Sequence, residues 1–182
     1  DYQYGWGLIN ATNAASLLRT YKAHPGTRRV IEDRVATNRA SVSFGFTWDG
    51  ASSVRATLCW TDPAGASTSV GDLRTARLVN NLDLRIAGPS GTVYQPWVMP
   101  FVVGNFDTNA FATAATTGSN TTDNVEQVLV ASPGAAGTYT ARVSFAGTLA
   151  NGSQPFSLIL SGVSDADAVA APTLTASTPA SG

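Results

Sequence analysis

One cysteine, Cys59, and one histidine, His24, are all that 182 residues carry of either type. A lone thiol excludes an internal disulfide and a thiolate metal cluster. A lone imidazole beside Pro25-Gly26 reads as a residue at a helix end, where the helix dipole favours it, so nothing supplies the positioned base that a serine or cysteine nucleophile needs. Charge is scarce as well. Lys and Arg number 11 and Asp and Glu 12, giving a net charge of −1 with only 13% of residues charged. Neither a nucleic acid nor an anionic membrane is held by so few cations without clustering, and the one tight basic pair, Arg28-Arg29, reads as the solvated start of a strand. No apolar run approaches the roughly 20 residues of a membrane helix. The first residues form no charged-then-apolar leader, so any secretion signal is expected upstream of Asp1. Asp165 and Asp167 lie in small-residue sequence and the other acids are scattered, which excludes a paired-carboxylate glycosidase.

What is present is alternation. Residues 10 to 22 read as a helix, with Asn10 as its cap and Ala11, Ala14, Ala15, Leu18 and Tyr21 on one apolar face, ended by His24-Pro25-Gly26. From Thr27 onward the period is two. Val42, Phe44, Phe46 and Trp48 alternate with small or polar residues. So do Val54, Ala56, Leu58 and Trp60, then Leu82, Leu84 and Ile86, then Tyr139, Ala141, Val143 and Phe145. With Thr92 to Tyr94, Val125 to Val130 and Phe156 to Leu160, about eight strands separated by Gly, Pro, Asn and Ser turns predict an all-β fold. The expected form is an antiparallel β-sandwich or jelly roll with one N-terminal α-helix. Trp48 and Trp60 are in phase with the core, whereas Cys59 falls on the opposite face.

Two connections, residues 63 to 77 and 96 to 122, exceed the roughly 12 to 15 residues of an ordinary loop. The second carries Trp97, Met99, Phe101, Phe106 and Phe111, so part of it should pack. The expected division is residues 1–26 as a terminal helix, 27–163 as the sandwich, and 164–182 as a small-residue linker, in which Pro172-Thr173-Leu174-Thr175 and Thr178-Pro179-Ala180-Ser181-Gly182 resemble the first strand of an immunoglobulin-like module.

Four ordered motifs carry a family resemblance. Tyr4-Gly5-Trp6-Gly7-Leu8-Ile9-Asn10-Ala11, leading into Ala14-Ala15, resembles the last helix of a subtilisin-like protease domain. Cys59-Trp60-Thr61-Asp62-Pro63, Leu78-Val79-Asn80-Asn81-Leu82-Asp83-Leu84 and Asp123-Asn124-Val125-Glu126 look like successive signatures of the β-sandwich that follows the catalytic domain in many secreted bacterial subtilases. Together they span roughly residues 2 to 162, in the family's order. The family's Gly-Thr-Ser-Met-Ala run, which carries the nucleophile, is absent. The resemblance therefore implies a secreted, extracellular, non-catalytic accessory domain of a serine endopeptidase, its partner being the parent's catalytic domain, which it braces and whose cleft it helps to shape.

Related sandwich domains often bind calcium, and the resemblance extends that role to Asp83, with Asp62, Asn81, Asp123 and Glu126 as further oxygen ligands and Asn124 beside them. Asn81 stands where the family commonly has aspartate, which removes a negative charge. The alternative is structural: Asp83 and Asn81 bond backbone amides at a strand edge, and Asp62-Pro63 begins a turn. A different class of function is a module that binds polysaccharide, protein or a cell surface, with Trp97 and Tyr94 as an aromatic platform.

Overall fold

A computed structural model of the protein describes residues 5–23, 30–69, 76–99 and 113–163. His24, the Arg28-Arg29 pair, Phe101, Phe106, Phe111 and the tail 164–182 lie outside the described residues. Ten strands are present among them: β1 (Val30–Ala36), β2 (Ser41–Trp48), β3 (Val54–Cys59), β4 (Asn81–Ala87), β5 (Val93–Tyr94), β6 (Trp97–Val98), β7 (Thr116–Thr117), β8 (Val125–Val130), β9 (Gly137–Ala146) and β10 (Ser153–Ser161). They follow the helix α1 (Ala11–Ala23), and a 3-10 turn, Ala150–Gly152, precedes β10.

The strands form two four-stranded sheets, β1-β10-β3-β8 and β2-β9-β4-β5, with β6 and β7 as a separate small pair. Every described pairing is antiparallel. The order has a simple origin. β4 and β5 join through a tight turn in which Gly88 N donates to Thr92 O at 2.8 Å. Outward from it, β3 pairs with β8, β2 with β9 and β1 with β10. This is one long hairpin ribbon rolled so that alternate ladders fall in opposite sheets, and β10·β3 and β4·β9 close each sheet. That is the jelly-roll arrangement, in which two Greek keys share one core.

The core follows the period-two pattern. Val42, Phe44, Phe46 and Trp48 of β2 are buried, as are Val54, Ala56 and Leu58 of β3 with Trp60 beyond it, and Leu82, Leu84 and Ile86 of β4. Phe44 meets Phe156 of the opposite sheet edge-on at 6.4 Å, and Tyr139 stacks on Phe46 at 5.8 Å and meets Trp48 edge-on at 5.4 Å. Each fully buried large side chain of this kind is worth about 1.5–3 kcal/mol.

Helix α1 shares in none of that. Asn10 caps it, its Oδ1 accepting from Asn13 N at 2.9 Å, but no residue of α1 is buried. Leu18 is 57% exposed, and Leu8 and Ile9 just before the helix are 100% and 89% exposed. A helix of this length is marginal in water without tertiary packing. None of the described helices is long and apolar enough to cross a membrane.

Candidate functional site

β5 pairs with β4 only at Ile86 and Ala87. The N-terminal half of β4 thus has an edge without a strand partner, and polar side chains gather along it. Glu126 stands in phase with Val128 and Val130 on the inward face of β8, so the period that buries the valines also buries a carboxylate, fully. Its Oε2 accepts from Leu84 N at 2.6 Å, in place of a ladder partner. Its Oε1 is buried without a hydrogen-bond partner among the described residues. Burial first, then the nearby Asp83 and Asp123 charges, push the Glu126 carboxyl up to about 8, against the opposing pull of the Leu84 amide and Arg85.

Arg85 holds the carbonyl of the same residue, Leu84. Its Nη1 donates to Leu84 O at 2.8 Å, and its Nη2 donates to Asp83 Oδ1 at 3.2 Å and Ser119 Oγ at 2.8 Å. Asn120, buried, donates to Asp123 Oδ2 at 2.8 Å, and its Oδ1 accepts from the amides of Thr122 and Asp123 at 3.0 and 3.1 Å. This side-chain turn sets the start of β8 against β4.

Asp62 belongs to a second network. Its Oδ2 accepts from Val79 N at 2.7 Å, and its Oδ1 from Asn80 N at 2.9 Å and the Trp60 indole at 3.4 Å. Asn80, buried, donates to Gln154 Oε1 at 2.8 Å and accepts from Ala150 N at 2.7 Å. Gln154 donates in turn to Thr61 O at 3.0 Å. Asn124 Nδ2 donates to Trp60 O at 2.8 Å. The family-like motifs around Trp60, Asn80 and Asn124 thus meet at one end of the sandwich, tied by a buried polar network, a structural use of residues that also suit a ligand shell.

The structure brings Asp83, Asp123 and Glu126 together and places Asp62 in the other network. Asn81 lies on the outward side of β4 with Asp83, its Oδ1 buried and without a hydrogen-bond partner among the described residues. Among the described residues, no group of three or more His, Cys, Asp or Glu side chains is arranged to hold a metal. With Arg85 on Asp83 and three N–H groups on Asp62, these side chains do not fit a calcium site as they stand, because the cation would have to displace a guanidinium already in place. Tyr94 is half-buried against Tyr139, ring centroids 6.5 Å apart, and so is no exposed platform beside Trp97. Cys59 is exposed, on the face opposite the core. No local sequence pattern marks Asn80 and Gln154 as buried partners, and Asn120 is a further buried partner. The Asn120-to-Asp123 spacing, suited to an Asx turn, was the available signal for one of them.

No family model matches the chain, and no curated protein matches it. Among solved structures it is similar to the CspB protease of Clostridium perfringens, at 9% identity and a TM-score of 0.44, over 81% of this chain and 28% of that one. The chain thus spans less than a third of that protein's length, and a likeness of this size fixes neither fold nor activity.

Proposed function

We propose that this chain is a non-catalytic accessory domain of a secreted subtilisin-like serine endopeptidase, bracing the catalytic domain through α1 and the sandwich behind it. The observation that carries the reading is the apolar surface of Leu8, Ile9 and Leu18, left exposed beside a sandwich that closes its own core. Exposed apolar stripes of this kind mark contact surfaces, and a helix with no buried residue needs one to be stable. The motif resemblance names the partner. The chain itself performs no proteolysis in this reading, since its sequence lacks the Gly-Thr-Ser-Met-Ala run that carries the nucleophile in the family it resembles.

The test places Ile9→Glu and Leu18→Glu in the whole secreted protein and in the isolated chain. The melting temperature of the sandwich stays the same in the isolated chain, whereas the whole protease loses yield and thermal stability. Unchanged stability of the whole protein would sink the bracing role. A serine-directed phosphonate should label the whole protein but not the isolated chain, and stoichiometric labelling of the chain would show a nucleophile of its own.

A further inference from the structure

Beside the β4 edge, the N-terminal segment and the β6–β7 pair enclose a cavity of about 380 Å³. Its walls include the indoles of Trp6 and Trp97 and the thioether of Met99, and its polar lining comes from Asp123 and Gln127. Trp97, Met99, Asp123 and Gln127 are each half-buried, so the cavity is formed by the fold while remaining open to solvent. Its volume lies toward the small end of ligand pockets.

The polar groups are selective in kind. Gln127 Nε2 gives one of its two N–H groups to Thr57 Oγ1 at 3.2 Å, and the carbonyl oxygen remains as an acceptor. Asp123 Oδ2 accepts from Asn120, a neutral group, and Asp123 forms no ion pair among the described residues. Its neighbour Asp83 already has Arg85. Among the described residues the lining therefore presents the acceptors of Asp123 and Gln127, with the Asp123 charge in no ion pair, beside two tryptophans. A carboxylate or phosphate meets the Asp123 charge, and no Lys or Arg stands among the described lining residues to offset it. A cation finds a complement there: indole is the strongest of the aromatic faces toward one, and a planar guanidinium stacks on such a face while its fork bonds carboxylate and amide oxygens together.

We propose that this cavity binds the guanidinium of an arginine side chain presented by another polypeptide, with Trp6 and Trp97 against its plane and Asp123 and Gln127 accepting its N–H groups. The site stands apart from the bracing role, and either can fail without the other.

Titration of the 182-residue chain with N-acetyl-arginine methylamide, followed by the four indole N–H resonances in a proton–nitrogen correlation spectrum, tests it. The Trp6 and Trp97 signals, assigned by single Trp→Phe variants, should shift and saturate while those of buried Trp48 and Trp60 hold still. The citrulline analogue, isosteric but uncharged, should bind weaker by on the order of tenfold, as should arginine to Asp123→Asn. Trp6 lies outside the sandwich core, so Trp6→Ala keeps the strand resonances in place and should weaken arginine by a similar factor even if Asp123→Asn disturbs the Asn120 turn. Equal response to arginine and citrulline, arginine binding indifferent to both substitutions, or saturable binding of cellobiose in place of arginine would each overturn the proposal.

Discussion

Glu126 on β8 and Leu84 on β4 face each other across the sandwich, the carboxylate taking the amide at 2.6 Å where β5 stops short of pairing. A carboxyl group thus takes the place of a strand partner at Leu84, and it does so fully buried. Its second oxygen has no partner among the described residues, so the site favours the protonated acid.

That preference has a sign. Glu126 titrates near 8 in the folded chain and near 4.5 when unfolded, so between those values the folded state holds the proton more tightly. Its contribution to stability is fully present below pH 4.5 and is lost as pH rises to about 8, with a slope of up to about 1.4 kcal/mol per pH unit from this group. Glu126→Gln keeps an acceptor for Leu84 and cannot ionise. Its unfolding free energy, measured by urea titration from pH 5 to 9, should lack this slope, and the variant should be the more stable protein at pH 9. Parallel profiles for the two proteins would show that Glu126 does not titrate in this window.

Calcium tests the Arg85–Asp83 pair. With the guanidinium 3.2 Å from Asp83 and bonded to Ser119, millimolar calcium should leave the melting temperature where EDTA leaves it. A rise of several degrees, abolished by Asp83→Asn, would mean that the cation displaces Arg85 and takes Asp83 as a ligand. For a site saturated at about 100 times its dissociation constant, that rise would correspond to roughly 2.7 kcal/mol.

Asp62 bears on the end of the sandwich. Its two oxygens accept from Val79, Asn80 and the Trp60 indole; the indole keeps its 3.1 Å bond to Asn80 O without Asp62, so Asp62→Ala strands the part-buried Asn80 amide and should cost about 1–3 kcal/mol in chemical denaturation, equally in calcium and in EDTA. A loss seen only in calcium would make Asp62 a ligand.

The turn opposite Trp48 offers a packing test. A Cβ at Gly134 would stand 2.5 Å from Trp48 Cη2, and the indole is fixed from its other end by a 2.6 Å bond from Nε1 to Ser52 O. Gly134→Ala should destabilise the fold by about 1–3 kcal/mol through overpacking, visible as a lower melting temperature and altered near-ultraviolet dichroism. A silent substitution would mean that this loop yields freely.

Much of the sandwich was legible in the sequence because its inner strands obey one rule. Val42 to Trp48, Val54 to Trp60 and Leu82 to Ile86 alternate cleanly, and the alternation alone sorts core from surface. β1 was harder to read: as an edge strand it tolerates Glu32, Asp33 and Arg34 in its middle, with Asp33 3.6 Å from Arg39. β6 and β7 are two residues each and carry no period, which is why the strand count was two short. The motif around Glu126 suggests a cation ligand. The phase of Glu126 with Val128 and Val130 is equally readable and points inward. Asn80 and Gln154 meet across 74 positions of sequence, a contact set by the ribbon's roll, which no local pattern encodes. The helix was placed correctly from its cap and periodicity, but those describe a face and not its partner.

Amide hydrogen exchange on the monomeric chain at micromolar concentration tests the central claim most directly. If α1 is a contact element awaiting another domain, residues 11–23 exchange within seconds while β2, β3, β4 and β9 stay protected to the limit set by global unfolding. Protection of α1 matching that of the strands in a verified monomer would mean the helix is already part of the sandwich, contradicting the account.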